Sequence, residues 1–581
     1  MSKTGQTGPL RSVTPAIDIY IRLAQYPILC NTIRHRMREE LFRRGIISAS
    51  SFEHEVREAA IRSQIHEGLG DSMGMEEEHI WQKRKDRIRE TLTDSYFANN
   101  LGIALLNQLI NETLQDRSES VPTTELTFNP EVSPWDLLFQ QGIIYEEIPE
   151  PEREPIQHHL QEIKVVLIRR IITDQLPFIG LARGILTVTD LQQIYQRLIG
   201  TGKIGGKAAG MILAWKILQQ KDPEIGPDIS DSVDMPDSYF IGSEVIYEFI
   251  LTNQLDDFVN QKYRPLAQMK AAYLNIIRGF LQGKFSENII EHLRDYLTRV
   301  DHSPLIVRSS SLLEDNFSYP FSGRYESYFC TNQGTEAENL ADLLIGIRRV
   351  FASIFNPEAM MDRRHHKLID YDERMAVLLQ KVDGEGYGRT YFPIISGVAY
   401  SQNLARWAPE IRRQDGLLQL VLGLGTRTRQ LSDPKGSRFI PLSHPQFRPE
   451  KTTEEIRQHA QTQIDLLDLE ANRRITVPVS EILTDSFPLL PYVASLDRGD
   501  YLAPIEPNKP LPSDARFVLT FDYLTQDPKF IKLVRTAVKR LERQYNVPVE
   551  IEFSLKITPN ISSPDYKFTV LQCRRLGQIE T

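Results

Sequence analysis

Val549-Glu550-Ile551-Glu552-Phe553-Ser554, followed by Phe568-Thr569-Val570-Leu571-Gln572-Cys573-Arg574, reads as a β-hairpin near the C-terminus. Successive strand residues face opposite ways. Val549, Ile551 and Phe553 therefore point into a core, and Glu550 and Glu552 point away from it, with Cα atoms roughly 7 Å apart. Gln572 and Arg574 share a face of the return strand. Two carboxylates side by side repel unless a cation lies between them. Mg²⁺ takes one or two carboxylates together with substrate phosphates. The hairpin thus carries the donor set of the metal end of a nucleotide site.

Upstream, two stretches supply cations. In Gly200-Thr201-Gly202-Lys203-Ile204-Gly205-Gly206-Lys207, Gly200, Gly202 and Gly205 fit a dinucleotide GxGxxG pattern. A helical segment precedes them where that unit requires a strand, so the pattern fails. The P-loop pattern fails too, because Thr201 and Ala208 stand where it needs Gly and Ser or Thr. What remains is a Gly-Gly-Lys turn opening a helix from Ala208 to about Gln219. Such a turn is either an anion site or a plain glycine turn with a solvated lysine. The second stretch, Leu305-Ile306-Val307-Arg308-Ser309-Ser310-Ser311, is a buried strand ending in an arginine and three hydroxyls. Arg308 offers a planar fork suited to phosphate oxygens; the alternative is a serine-rich turn with Arg308 paired to Glu314 or Asp315.

In order along the chain stand Gly205-Gly206-Lys207, Val307 to Asp315, Ser322-Gly323-Arg324-Tyr325-Glu326-Ser327, Val350 to Phe355, Met375 to Gln380, Ser396-Gly397-Val398-Ala399, Gly423-Leu424-Gly425, the Glu-x-Glu strand and Gln572-x-Arg574. This ordered set resembles the ATP-binding domain of phosphoenolpyruvate synthase and pyruvate phosphate dikinase, a domain also found in glucan water dikinases and rifampin phosphotransferases. The resemblance covers about residues 196 to 577. It implies an α+β fold with an ATP-grasp-like nucleotide-binding region over 196–581, and ATP with Mg²⁺ as ligands. It places Lys207 and Arg308 on the ATP phosphates, Glu550 and Glu552 on the metal or the transferred phosphoryl group, and Gln572 and Arg574 beside them. Gln380 falls on the strand that passes the adenine, and Arg348 or Arg349 is a further candidate for a phosphate contact. Phosphoryl transfer depends mostly on positioning and charge neutralisation, which fits this residue set.

Two departures from the family stand out. Thr426, followed by Arg427 and Arg429, replaces the acidic residue usual after Gly-Leu-Gly. In addition, none of the twelve histidines lies in the Thr-Ser-His context of the dikinases' phosphohistidine domain, and no pyruvate-binding barrel is recognisable. The expected activity is therefore phosphorylation, from Mg-ATP, of an acceptor outside this chain, such as a histidine on a separate protein. The alternative is a non-catalytic ATP sensor.

Residues 1–195 read as a mostly helical region. It includes a capping box at Ser50 and Glu53, a helix from about Ile80 to Gln115, and a Pro- and Glu-rich connection from Glu146 to Pro155. Arg34, Arg36, Arg38, Arg43 and Arg44 form a basic cluster interspersed with Glu39 and Glu40, the pattern of an ordinary charged helix or an interaction surface. His54-Glu55-Val56-Arg57-Glu58 lacks the second histidine of a zinc HExxH motif. A chain of 581 residues is too long for one core. Its net charge of −9 argues against nucleic acid as a partner. Three scattered cysteines, no leader-like N-terminus and no apolar run of roughly 20 residues imply a cytoplasmic protein without a membrane span.

Overall fold

In a computed structural model, the structure describes residues 19, 23, 30–66, 78–119, 130–131, 133–314, 323–370, 373–403, 408–428, 436–506, 510–512, 514–560 and 563–576. The fold is mixed α and β, in two compact units: Met1–Gln140 with Asp256–Ala271, and Gln141–Leu255 with Ala272–Thr581.

In the first unit the helices Cys30–Arg43, Glu78–Asn100 and Ile103–Glu119 are arranged around Ile33, Met37, Leu41, Phe97 and Leu106, all fully buried, and helix Ala49–His66 packs its Phe52 ring against Phe42 and Tyr96. The long helix expected over Ile80 to Gln115 is two helices, interrupted at Leu101-Gly102, where glycine weakens the helical run. The cap before Ala49–His66 is Ser48, whose Oγ accepts the Ser51 N–H at 3.1 Å, rather than Ser50. Much of the basic cluster is structural. Arg34 is buried and grips Asp94 with two bonds, of 3.0 and 2.7 Å, while Arg43 and Arg44 pair with Glu40 on their own helix.

Among the described residues the second unit holds four sheets. One has five strands in the order Leu198–Ile199, Ser238–Ile241, Met375–Lys381, Leu305–Ser311, Ser327–Cys330. Met375 to Gln380 is buried throughout, as expected of an apolar run with neighbours on both sides. A second has six strands in the order Arg438–Pro441, Leu417–Val421, Ile395–Tyr400, Val549–Thr558, Asp565–Arg575, Val233–Asp234. Its core face carries Val549, Ile551, Phe553, Phe568 and Val570, each fully buried. Helix Pro528–Tyr545 delivers the chain to this sheet. Asp527 caps it, accepting the Lys529 N–H at 2.8 Å, and Pro528 occupies the first turn.

Helix Gly206–Gln219 packs against strand Asp565–Arg575 of one large sheet and strand Leu305–Ser311 of the other, and its start is locked by contact. Gly205 has φ +81°, and a Cβ there would lie 1.5 Å from the Ser310 carbonyl oxygen. A Cβ on Gly206 would lie 1.7 Å from the Glu314 carbonyl oxygen. Only glycines permit this backbone approach. Gly205→Ala is expected to destabilise the second unit by about 3 kcal/mol or more, because it combines left-handed backbone with a main-chain clash. Urea denaturation read by tryptophan fluorescence measures it, and a loss below about 1 kcal/mol would show that the loop yields easily.

Candidate functional site

Arg308 is the middle residue of the strand Leu305–Ser311 and reaches across to the six-stranded sheet. Its Nη2 donates to Glu552 Oε2 at 2.7 Å and to Gln572 Oε1 at 2.9 Å, and its Nη1 donates to the Leu571 carbonyl at 3.0 Å. The alternative of pairing with Glu314 does not occur, and Asp315 lies outside the described residues. One planar guanidinium thus gives three bonds, to a carboxylate, an amide and a carbonyl, all from the hairpin.

The hairpin can offer all three because its register shifts. Glu552 pairs with Gln572 but Phe553 pairs with Val570, so Leu571 is an extra residue in the return strand. A bulge of this kind frees a backbone carbonyl and exchanges the faces of the residues beyond it. Before the bulge, Phe568 and Val570 share the core face with Phe553. After it, Gln572 and Arg574 stand opposite Glu552 and Glu550, on the carboxylate face.

Each glutamate has its own cation. Arg574 Nε donates to Glu550 Oε1 at 2.5 Å, with a second contact from Nη2. Burial pushes the Glu550 carboxyl above the ordinary carboxylate range, against the charge and hydrogen bond of Arg574 and assisted by the charge of Glu552. Burial acts on Glu552 in the same sense, yet the charges of Arg308, Arg574 and Lys207 and the bond from Arg308 hold it below the usual range. The two carboxyls of one strand are thereby driven apart in acidity.

Lys207 lies within electrostatic reach of Glu552 but is turned inward. Its Nζ donates to Glu314 Oε1 at 2.8 Å and to Ser309 Oγ at 2.9 Å, and Glu314 is fully buried. Glu314 Oε2 accepts the Ser311 N–H at 3.0 Å. The serines do internal work as well. Ser310 Oγ accepts the Ala208 N–H at the helix start and donates to the Ile204 carbonyl, and Ser311 is bonded to buried Glu373.

A cleft of about 200 Å³ opens between the two large sheets, with Arg308 and Gln380 on one side and Gly425, Thr426, Glu552 and Leu571 on the other. Arg308, Gln380 and Glu552 are therefore brought to one cavity. Gln572 and Arg574 stand directly behind it, while Lys207 and Glu550 adjoin these residues without lining the cleft. The Gln380 amide is tied to Ser238 Oγ at 3.2 Å and Met211 Sδ at 3.0 Å, so this residue offers the cleft chiefly its backbone. Arg348 and Arg349 do not line it. The first donates to the Gly283 carbonyl and the second lies 3.8 Å from Glu326.

Over residues 201–581 the sequence matches the family described as pyruvate phosphate dikinase, AMP/ATP-binding domain. The chain belongs to that family. A curated relative, the "Uncharacterized phosphotransferase YvkC" of Bacillus subtilis (strain 168), is 26% identical over 172 residues, which is 29% of this chain and 17% of that protein. The chain therefore matches only a small part of that relative's length.

In this member of the dikinase AMP/ATP-binding family, three site features escape sequence reasoning. Glu314 is the counter-ion of Lys207, 107 residues away. Leu571 contributes a carbonyl through its bulge. Asp465 stands beside the Gly-Leu-Gly loop, where it accepts Thr426 Oγ1 at 2.6 Å, Arg427 Nη2 at 2.8 Å and Thr476 Oγ1 at 2.6 Å. An acid between the apolar Ile464 and Leu466, both fully buried, was the available signal. Arg429 lies outside the described residues.

Proposed function

We propose that the chain is a dikinase-type phosphotransferase that binds ATP with Mg²⁺ in the cleft between the two large sheets and passes a phosphoryl group to an acceptor outside residues 1–581. The observation that carries this reading is the Arg308 bridge, a fixed cation beside the Glu552 carboxylate on the wall of one cavity. Arg308 and Lys207 would hold the phosphates, the backbone near Gln380 the adenine, and Gln572 and Arg574 the position of the glutamates. The two sheets would act as the halves of an ATP-grasp-like clamp over residues 196–581, and residues 1–195 would dock or regulate the acceptor.

The donor chemistry suits magnesium. Among the described residues no group of three or more His, Cys, Asp or Glu side chains gathers to hold a metal by itself. A pair of adjacent carboxylates completed by phosphate oxygens is the usual magnesium arrangement. Glu552 and Glu550 would hold the ion, which when bound supplies neutralisation of phosphate charge. Among the described residues no helix is long and apolar enough to cross a membrane; we read the chain as cytoplasmic and its acceptor as a separate protein.

Incubation with ATP labelled at the β or γ phosphate, with and without a cell lysate, tests the reading and identifies which phosphate moves. We expect magnesium-dependent transfer to a lysate component. Background-level turnover by both wild type and Glu552→Gln would overturn it. A second reading, a nucleotide sensor without turnover, is favoured by Thr426, which lines the cleft without supplying an acid, while the nearby acid Asp465 is occupied by Thr426, Arg427 and Thr476. Saturable ATP binding with no transfer of either label would support it.

The buried Lys207–Glu314 pair separates structure from function. Lys207→Met should cost about 3 kcal/mol, because it strands a buried carboxylate. Lys207→Met with Glu314→Gln should recover most of that loss while leaving ATP affinity at least about tenfold weaker, the scale of one charged phosphate contact. Urea denaturation and ATP titration on the same samples measure both.

A further inference from the structure

A groove of about 930 Å³ lies along helix Pro528–Tyr545 and shares no lining residue with the nucleotide cleft. Lys532, Arg535, Lys539 and Arg543 recur at steps of three and four and so form one stripe, roughly 16 Å long at the helical rise. The facing wall is the loop through Ile225, Gly226 and Pro227, and it is firmly held. Buried Arg540 donates to the carbonyls of Gln220, Gly226 and Pro227 at 2.9, 3.3 and 2.6 Å. A Cβ on Gly226 would lie 2.6 Å from Thr536 Oγ1, so the loop rests directly on the helix.

The groove's charges are only partly balanced. Lys539 pairs with Glu542 at 2.9 Å, and Arg543 pairs with Glu224 at 2.7 Å and Asp222 at 3.5 Å. Arg535 donates to the neutral Leu442 carbonyl. Neither Arg535 nor Lys532, both exposed, has a carboxylate partner among the described residues. Two uncompensated cations thus stand in a concave surface of a chain whose net charge is −9.

The same unit carries the complementary shape and charge. Glu147, Glu150, Glu152 and Glu154 are exposed, and none has an ion-pair partner among the described residues. Arg153 folds this segment into a compact ridge, its Nε donating to the Ile148 carbonyl at 2.9 Å and its Nη2 to the Glu146 carbonyl at 2.5 Å. Pro149, Pro151 and Pro155 stand exposed on the ridge, and Pro227, Pro445 and Pro528 line the groove. Proline surfaces of this kind pack without losing backbone freedom on contact.

We propose that the groove receives the acidic ridge of a second copy of the chain. Ridge and groove are different surfaces. The contact therefore closes as a reciprocal pair when each copy's ridge enters the other's groove, and extends as a chain of copies when it does not. Opposite charges at the rim of such a contact make association sensitive to salt.

Sedimentation velocity on the full chain across a concentration series, at about 50 mM and about 500 mM salt, tests this. We expect reversible association that weakens at least about tenfold at the higher salt. Lys532→Glu/Arg535→Glu and Glu150→Lys/Glu152→Lys should each sediment as monomers alone, and an equal mixture of the two should associate again, because each reversed surface then meets its complement. A wild type that stays monomeric throughout, association unchanged by either reversal, or a mixture that remains monomeric would each overturn the proposal.

Discussion

Arg308→Ala is expected to lower ATP turnover by about a thousandfold and to destabilise the second unit by about 2–4 kcal/mol. The side chain bridges two sheets through three acceptors, which belong to Glu552, Gln572 and Leu571. Truncation removes the donor that the amide and the carbonyl share, and with it the positive charge that does most to hold Glu552 ionised. The stability loss falls short of a fully buried ion pair because Glu552 is 34% exposed, so water takes over part of its solvation. Arg308→Lys should recover some stability but little turnover, since an ammonium cannot reproduce a planar fork to three acceptors. Steady-state kinetics and urea denaturation on both variants check this. Near-wild-type turnover in Arg308→Ala would remove the guanidinium from the active constellation.

Glu552→Gln should separate activity from stability. The amide keeps the volume of the side chain and can still accept from Arg308 Nη2, so stability should change by less than about 1 kcal/mol at this part-exposed position. Turnover should fall by at least about a hundredfold, because the substitution removes the ionised carboxylate beside Arg308 and with it a magnesium donor that faces the cleft. Glu550→Gln should be milder in turnover and harsher in stability, since Glu550 is buried against Arg574 rather than facing the cleft. The same two assays decide. Equal turnover losses in the two variants would mean that both carboxylates act at the reacting phosphate.

The hairpin's alternation was legible in the sequence because β-period patterning is a local property. Asp527 and Pro528 as the start of the preceding helix were legible for the same reason. The bulge at Leu571 was not. Strict alternation places Gln572 with Phe568 and Val570 in the core, and only the carbonyl demanded by Arg308, 263 residues away, explains the extra residue. Charge pairing likewise does not follow proximity along the chain. Glu314 is six residues from Arg308 yet serves Lys207, while Arg308 finds a partner 244 residues on. Buried cations choose the acceptors that the packed sheets bring to them, and that choice is tertiary. Thr426 read as a loss of acid from its loop, and it is bonded to Asp465, an acid on a neighbouring strand.

Calorimetric titration of ATP into the full chain, with and without magnesium, bears most directly on the joining of Arg308, Glu552 and the Gly-Gly-Lys helix around one nucleotide. We predict saturable binding at one site that weakens when magnesium is withdrawn and is lost in Arg308→Ala, with that variant still folded by circular dichroism. No heat of binding from the wild type, or binding indifferent to both magnesium and Arg308, would contradict the account.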